Sequence, residues 1–237
     1  MTDQNYINYK YTFDFEDGEQ FVFPIALDST TLELHTPEPN TPPPWARLDS
    51  NICDACPFQN TGRDYCPVAS NLSGAVAAFS GIRSYTSADI IVESKHRTVM
   101  HHGISLQEGL GSLIGIIMVT SGCPDLDFLR PMVRFHLPFA RLIETIHRSS
   151  ANYLIAQFLR HRLGKTADWE MEKIGAIYKR IEMINTKMCD RLREATTQDA
   201  ILNAIIVLDT SAQMMSYSFK GKLDELSPYF KALLSEP

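Results

Sequence analysis

The sequence predicts an α+β fold: a small antiparallel β-sheet packed on a bundle of four to five α-helices, with a four-cysteine metal site at the seam. Three observations carry this. Aromatic residues alternate with polar ones around an Asp-Gly pair near the N-terminus. Apolar stripes of helical period fill the C-terminal half. Between them lie Cys53, Cys56 and Cys66, with Cys123 at the turn after a glycine-rich apolar segment.

Tyr9, Tyr11, Phe13 and Phe15 alternate with Lys10, Thr12, Asp14 and Glu16; Phe21, Phe23, Ile25 and Leu27 repeat the pattern after Asp17-Gly18. Two period-two runs around Asp-Gly predict a hairpin, since glycine accepts the positive φ of the turn. Pro24 then belongs on an edge or a bulge, where a missing N–H does no harm. Thr31 to Leu34 reads as a third strand. Residues 37–44, rich in proline, form a stiff connector that delivers Trp45 and Leu48 to the core. Val68, Leu72, Val76 and Phe79 mark a short helix ending near Gly81. Asp89 to Glu93 and Arg97 to His101 form a second hairpin, turning at Ser94-Lys95-His96.

Ser105-Leu106-Gln107-Glu108 is a capping box, with the hydroxyl accepting from the N3 amide. The helix it opens runs to Ser121 and is apolar nearly all round, so it belongs in the centre. Gly109, Gly111 and Gly115 weaken it by about 1 kcal/mol each and let a neighbour approach closely. Pro131 and Pro138 bracket a kinked segment. A long helix follows from Phe139 to Leu163, with Leu142, Ile143, Ile146, Tyr153, Leu154 and Phe158 inward. The next spans Ala167 to Glu194 on a stripe from Ile174 to Leu192. Another spans Gln198 to Phe219, stopped by Gly221, and a short helix over Pro228 to Leu234 closes the chain.

The chain of 237 residues divides into a β-rich part with the cysteine loop (1–104) and a helical part (105–237), read as one integrated domain. Apolar content of 44% and charged content of 21% are ordinary for a globular protein. A net charge of −6 without a basic cluster argues against nucleic acid. No apolar run approaches the roughly 20 residues of a membrane span, and Met1-Thr2-Asp3-Gln4-Asn5 is no leader, so no membrane partner and a cytoplasmic location are expected.

Thiols stay reduced in that compartment, so grouped cysteines read as metal ligands before disulfides. Cys53-x-x-Cys56 puts two sulfurs within reach of one ion, Cys66 folds back onto it, and Cys123 supplies the fourth position. Four thiolates suit zinc first and a 4Fe–4S cluster second, with a thiol switch or unligated thiols as the remaining reading. Proline follows Cys56, Cys66 and Cys123, a pattern common at clusters; structural zinc is the more frequent use of four cysteines. Cys189 reads as a small buried hydrophobe.

The run of Cys53-x-x-Cys56-Pro57, Cys66-Pro67-Val68-Ala69, Ser121-Gly122-Cys123-Pro124 and Pro131-Met132 leading to Phe135-His136-Leu137-Pro138-Phe139 resembles an uncharacterised bacterial family over most of the chain. The resemblance implies no activity. It adds weight to the cysteine site and nothing to its chemistry.

Four further residues are catalytic candidates: His136, Glu144, His147 and Asp209. Glu144 and His147 have the Glu-x-x-His spacing of dinuclear bundles but lack a second such pair, so a hydrogen-bonded core histidine is preferred. Asp209, on an inner helix face, calls for a cation or hydrogen-bond donors; Arg134, Arg141 or His147 can supply one. A buried ion pair fixing helix register is preferred over an acid–base pocket. His101-His102 on a strand point to opposite faces and do not share an ion. No phosphate loop, Gly-x-Ser-x-Gly or His-Glu-x-x-His is present. Three function classes follow: a zinc-holding regulatory, ligand-binding or interaction protein, with apolar helix faces for a homodimer or a small-molecule ligand; an iron–sulfur redox or sensor protein; and an enzyme with a polar pocket in the bundle.

Overall fold

A computed structural model describes residues 5–35, 41–195 and 200–235. The aromatic alternation becomes a hairpin of β1 (Tyr6–Phe15) and β2 (Gln20–Asp28), with Gly18 at φ +88° in the turn. A second hairpin, β3 (Ser87–Ser94) and β4 (Arg97–Ser105), joins it by antiparallel pairing of β1 with β3, giving the order β2-β1-β3-β4. Pro24 lies on the edge strand β2. Thr31 to Leu34 does not form the expected strand; a single bridge joins Leu34 to Leu27. The Asp28 carboxylate is the reason. It accepts from the amides of Thr30 (2.8 Å) and Thr31 (2.7 Å), and Leu32 takes φ +59°, which turns the chain before a strand can run.

One sheet face, built from Tyr9, Tyr11, Phe13, Ile25, Leu27, Ile90 and Val92, is buried. It packs on α1 (Pro67–Ala78) and α2 (Leu106–Thr120). Phe79 closes α1 and sits among Phe13, Phe21 and Phe23, with ring centroids 4.9, 5.3 and 5.2 Å away. Helix α2 is buried along most of its length, as its all-round apolarity requires. The glycines divide. A Cβ on Gly109 would lie 1.8 Å from Ile90 Cδ1, so the helix touches the sheet only because nothing projects there. Gly111 and Gly115 face open space instead. The capping box is altered too: the Ser105 hydroxyl donates to Glu108 Oε2 (2.6 Å), leaving the backbone uncapped by either side chain. The first amides have other acceptors, Leu106 N–H to Thr86 O (2.8 Å) and Gln107 N–H to Ser84 O (3.0 Å).

Beyond a 3-10 turn at Pro124–Leu129 come α3 (Arg130–Arg134), α4 (Leu142–Arg162), α5 (Ile174–Ala195), α6 (Ala200–Asp224) and α7 (Lys231–Leu234). Among the described residues there are thus seven α-helices, five of them at least 12 residues long. Helix α4 starts later than Phe139, which takes φ +58°; Glu144 Oε2 accepts from the Arg141 amide (2.8 Å) and sets the boundary. Helix α5 starts later than Ala167 because Asp168 gathers the amides of Glu172 (3.2 Å) and Lys173 (2.9 Å) and the Tyr153 hydroxyl (2.6 Å) into a loop. Helix α6 runs through Gly221, which lacks the positive φ of a helix stop. Its expected start at Gln198 lies outside the described residues, as do residues 37–40 of the proline connector. On α4, Ile146 and Tyr153 are buried, while Phe158 is half exposed alongside Ile155, Leu159 and Leu163. No helix of the described residues is long and apolar enough to cross a membrane.

Candidate functional site

The cysteine loop hangs from a short 3-10 turn at Pro44–Ala46, and Leu48 is buried beside it. Leu48 N–H donates to Asp64 O and Cys66 N–H to Ala46 O (both 2.8 Å), pinning the loop at its neck. Inside, Cys56 N–H donates to Cys53 O (3.1 Å) and Ala55 takes φ +52°. A left-handed alanine costs about 1–2 kcal/mol, so this turn is held by its surroundings. Cys66 is the N-cap of α1, with Pro67 in the first turn; Cys123 is the N-cap of the next 3-10 turn, with Pro124 in the same place. Proline is preorganised for a helix start. Two of the three Cys-Pro pairs therefore have a backbone cause.

The thiols lie within electrostatic reach of one another. Burial pushes Cys53 up to about 11, with Cys66 and Cys56 adding to the rise. Burial pushes Cys123 up to about 12, and Cys66 and Cys53 again contribute. All are free. Two arginines of α5 bind the loop. Arg180 donates Nη1–H to Asp54 O and Nη2–H to Ala55 O (2.6 Å each), while its Nε–H reaches Asp125 Oδ2 (3.0 Å), two residues past Cys123. Arg191 is fully buried and donates to Trp45 O (3.0 Å), Leu48 O (3.2 Å) and Arg47 O. Among the described residues no carboxylate forms an ion pair with Arg191. The charges of Arg191 and Arg180 both reach Cys53. Among the described residues no three His, Cys, Asp or Glu side chains stand close enough to form a metal shell as they are. Cys189 is buried on α5 and senses Arg193, Asp209 and Asp190 in place of the other thiols.

The four catalytic candidates occupy different environments. His136 follows α3, and its Nε2 meets the Tyr11 hydroxyl. Burial, helped by Arg148, lowers it to about 4, so it is neutral near pH 7. Glu144 is spent on the α4 cap. His147 is exposed, contrary to its expected place on an apolar face, and stacks on Phe230 at 6.2 Å. Asp209 has no arginine or histidine partner among the described residues: Oδ2 accepts from Gln213 (2.9 Å), and the Thr186 side chain is its other polar neighbour. Burial raises its carboxyl, and Glu182 adds to the rise. Of the four, only His136 lines a cavity between the helices.

That cavity measures about 270 Å³ and lies between α2, α3, α5 and α6. Gly111 and Gly115 form part of its floor, with Ile116, Met132, Ile181 and Met215 among its apolar walls. Arg148, from α4, brings a guanidinium to it; Nη2–H donates to Met132 O (2.7 Å) and Phe135 O (3.0 Å). Tyr178 lines it too, its hydroxyl bonded to that of Ser149. Sequence reading missed Arg148, Tyr178, Arg180 and Arg191. Arg191 carried a signal: it lies one heptad from Ile184 on the apolar stripe of α5.

A family model for a domain of unknown function, DUF6901, matches residues 7–231. No curated protein and no solved structure matches the chain.

Proposed function

The chain belongs to the DUF6901 family, and from its own residues we propose that it is a cytoplasmic metal-binding protein of regulatory or ligand-binding kind, with zinc held by Cys53, Cys56, Cys66 and Cys123. Support comes from one arrangement: Cys53 is within electrostatic reach of Cys56, Cys66, Arg180 and Arg191, and Cys123 is within reach of Cys53 and Cys66. A zinc ion with four thiolates keeps a net negative charge of about two, which in a partly buried site calls for cations. Arg191, buried and without a carboxylate ion pair among the described residues, is such a cation, and Arg180 shares its charge with Asp125. Four protein ligands close the shell and leave no position for substrate, so the ion is structural. Binding draws the thiols together and fastens the cysteine loop to the turn after α2.

Elemental analysis of the purified chain tests this. One zinc per chain, lost with a fall in thermal midpoint on Cys53→Ser or Cys123→Ser, is the expected result. A colourless, metal-free protein whose midpoint does not respond to added zinc or chelator refutes it. A brown protein absorbing near about 400 nm selects the iron–sulfur alternative. Proline after Cys56, which lies outside any helix start, is the remaining sequence feature in its favour.

A further inference from the structure

The cavity between the helices is distinct from the cysteine cluster, and its chemistry is asymmetric. The wall is apolar except for a few groups, and Arg148 is the cation among them. Its Nη2 is held by two carbonyls; among the described residues its Nε and Nη1 make no hydrogen bond, and no carboxylate stands within ion-pair distance, the nearest influence being that of Glu144, which is engaged with the Arg141 amide. The acid on the lining, Glu108, is exposed and bonded to Ser105. His136 is tied to Tyr11 and adds no charge near pH 7. We propose that this cavity binds a small carboxylate with an apolar body, its carboxylate on the free edge of Arg148 and its hydrocarbon over Gly111 and Gly115.

Three considerations support that choice. A guanidinium with unused donors beside an apolar wall complements an anion at one end of a hydrophobic molecule. The volume of about 270 Å³ sets the size. A dry cavity of about 150 Å³ holds a benzene, so this one holds roughly ten non-hydrogen atoms. The glycines keep the space open: a Cβ at Gly111 or Gly115 would meet nothing within 4 Å, so no packing contact demands their smallness. A helix gives up about 1 kcal/mol for each glycine it carries in place of alanine, and here an empty floor is what it obtains.

Octanoate, octan-1-ol and octylammonium are titrated into the full-length protein by calorimetry, with ligand-observed NMR for weak binding. Octanoate is expected to bind at least about tenfold more tightly than octanol, the factor for one charge-assisted hydrogen bond, and octylammonium more weakly than either. Arg148→Gln is expected to reduce octanoate to the level of octanol. Arg148 also supports two carbonyls, so a second variant is needed: Gly115→Phe, which leaves Arg148 in place, fills the floor and is expected to abolish binding of both ligands while the circular dichroism spectrum is retained. No binding at millimolar octanoate, equal affinities for octanoate and octanol, or octanoate binding that survives Gly115→Phe would each overturn the assignment. Metal content is not part of the readout, so its failure and that of the zinc site are separable.

Discussion

Three glycines on one helix are expected to respond to the same substitution with opposite signs. In an unconstrained helix, glycine to alanine stabilises by about 1 kcal/mol. At Gly111 and Gly115 the new methyl meets nothing within 4 Å, so that gain should be realised in full. At Gly109 the methyl falls 1.8 Å from Ile90 Cδ1, 3.3 Å from Ile90 Cγ1 and 3.5 Å from Phe13 Cε1. Ile90 and Phe13 are completely buried, so the isoleucine must leave its rotamer inside a filled core. Overpacking of this kind costs about 1–3 kcal/mol, which exceeds the helical gain. Gly109→Ala should therefore lose up to about 2 kcal/mol net, while the other two gain about 1 kcal/mol. For a chain this size each kcal/mol moves the thermal midpoint by roughly 2–4 °C, well within calorimetric resolution. Ile90→Val supplies the decisive control. It removes Cδ1 and costs about 0.5–1.5 kcal/mol alone, but in the Gly109→Ala background it should cost less or restore stability. If Gly109→Ala raises the midpoint as much as its neighbours do, or if the double-mutant cycle shows no coupling with Ile90, the close approach of α2 to the sheet is wrong.

Other perturbations probe the remaining polar groups. Arg191→Met removes three charge-assisted hydrogen bonds and leaves the carbonyls of Trp45, Arg47 and Leu48 unserved; a loss of about 3 kcal/mol or more is expected in urea unfolding, and a loss under about 1 kcal/mol would mean the loop is held elsewhere. His136 has its folded-state pKa lowered from 6.5 to about 4 by burial and by Arg148, with Tyr9 and Tyr11 as its other neighbours. Below pH 6.5 the unfolded chain takes a proton that the folded chain refuses, so stability should fall progressively between pH 6.5 and pH 4, by up to about 3 kcal/mol; His136→Gln should flatten that part of the curve, and an unchanged slope would exclude the histidine. Asp209 carries a raised pKa from burial and Glu182, which its contacts with Gln213 and Thr186 only partly offset. Asp209→Asn should leave the midpoint unchanged or raise it slightly at pH 7, and a marked fall would reveal a cation partner.

Periodicity was a good guide wherever a strand or helix buries one clean face. The alternating aromatics of β1 and β2 and the stripe of α5 led directly to buried positions, because both patterns are driven by the sheet and helix repeats themselves. It failed where a single carboxylate captured backbone amides. Asp28 and Asp168 each end a period that the apolar residues alone would extend, and Glu144 moves the start of α4 beyond Phe139. Such side chains are short, polar and common, so only the tertiary setting tells which of them turns the chain.

The cysteine spacing was legible, but the meaning of its prolines was not. Read as a string, Cys-Pro at three places favours an iron–sulfur loop. In the fold, Pro67 and Pro124 open helical turns for which Cys66 and Cys123 are the N-caps, and a proline is expected there whatever the sulfur binds. That removes most of the reason to prefer a cluster and leaves the charge balance as the better criterion. A cavity is harder still to see in a sequence, because its floor is made of what is missing. Gly109 and Gly115 look alike in the string; one is a contact surface pressed on Ile90 and the other borders empty space. Arg148, the cationic residue on that lining, sits off the apolar stripe of α4 and reads as one more solvated arginine until its bonds to the carbonyls of Met132 and Phe135 are seen. A helix that gives up intrinsic stability at two positions without gaining a packing contact is the mark by which the string and the coordinates together locate the cavity.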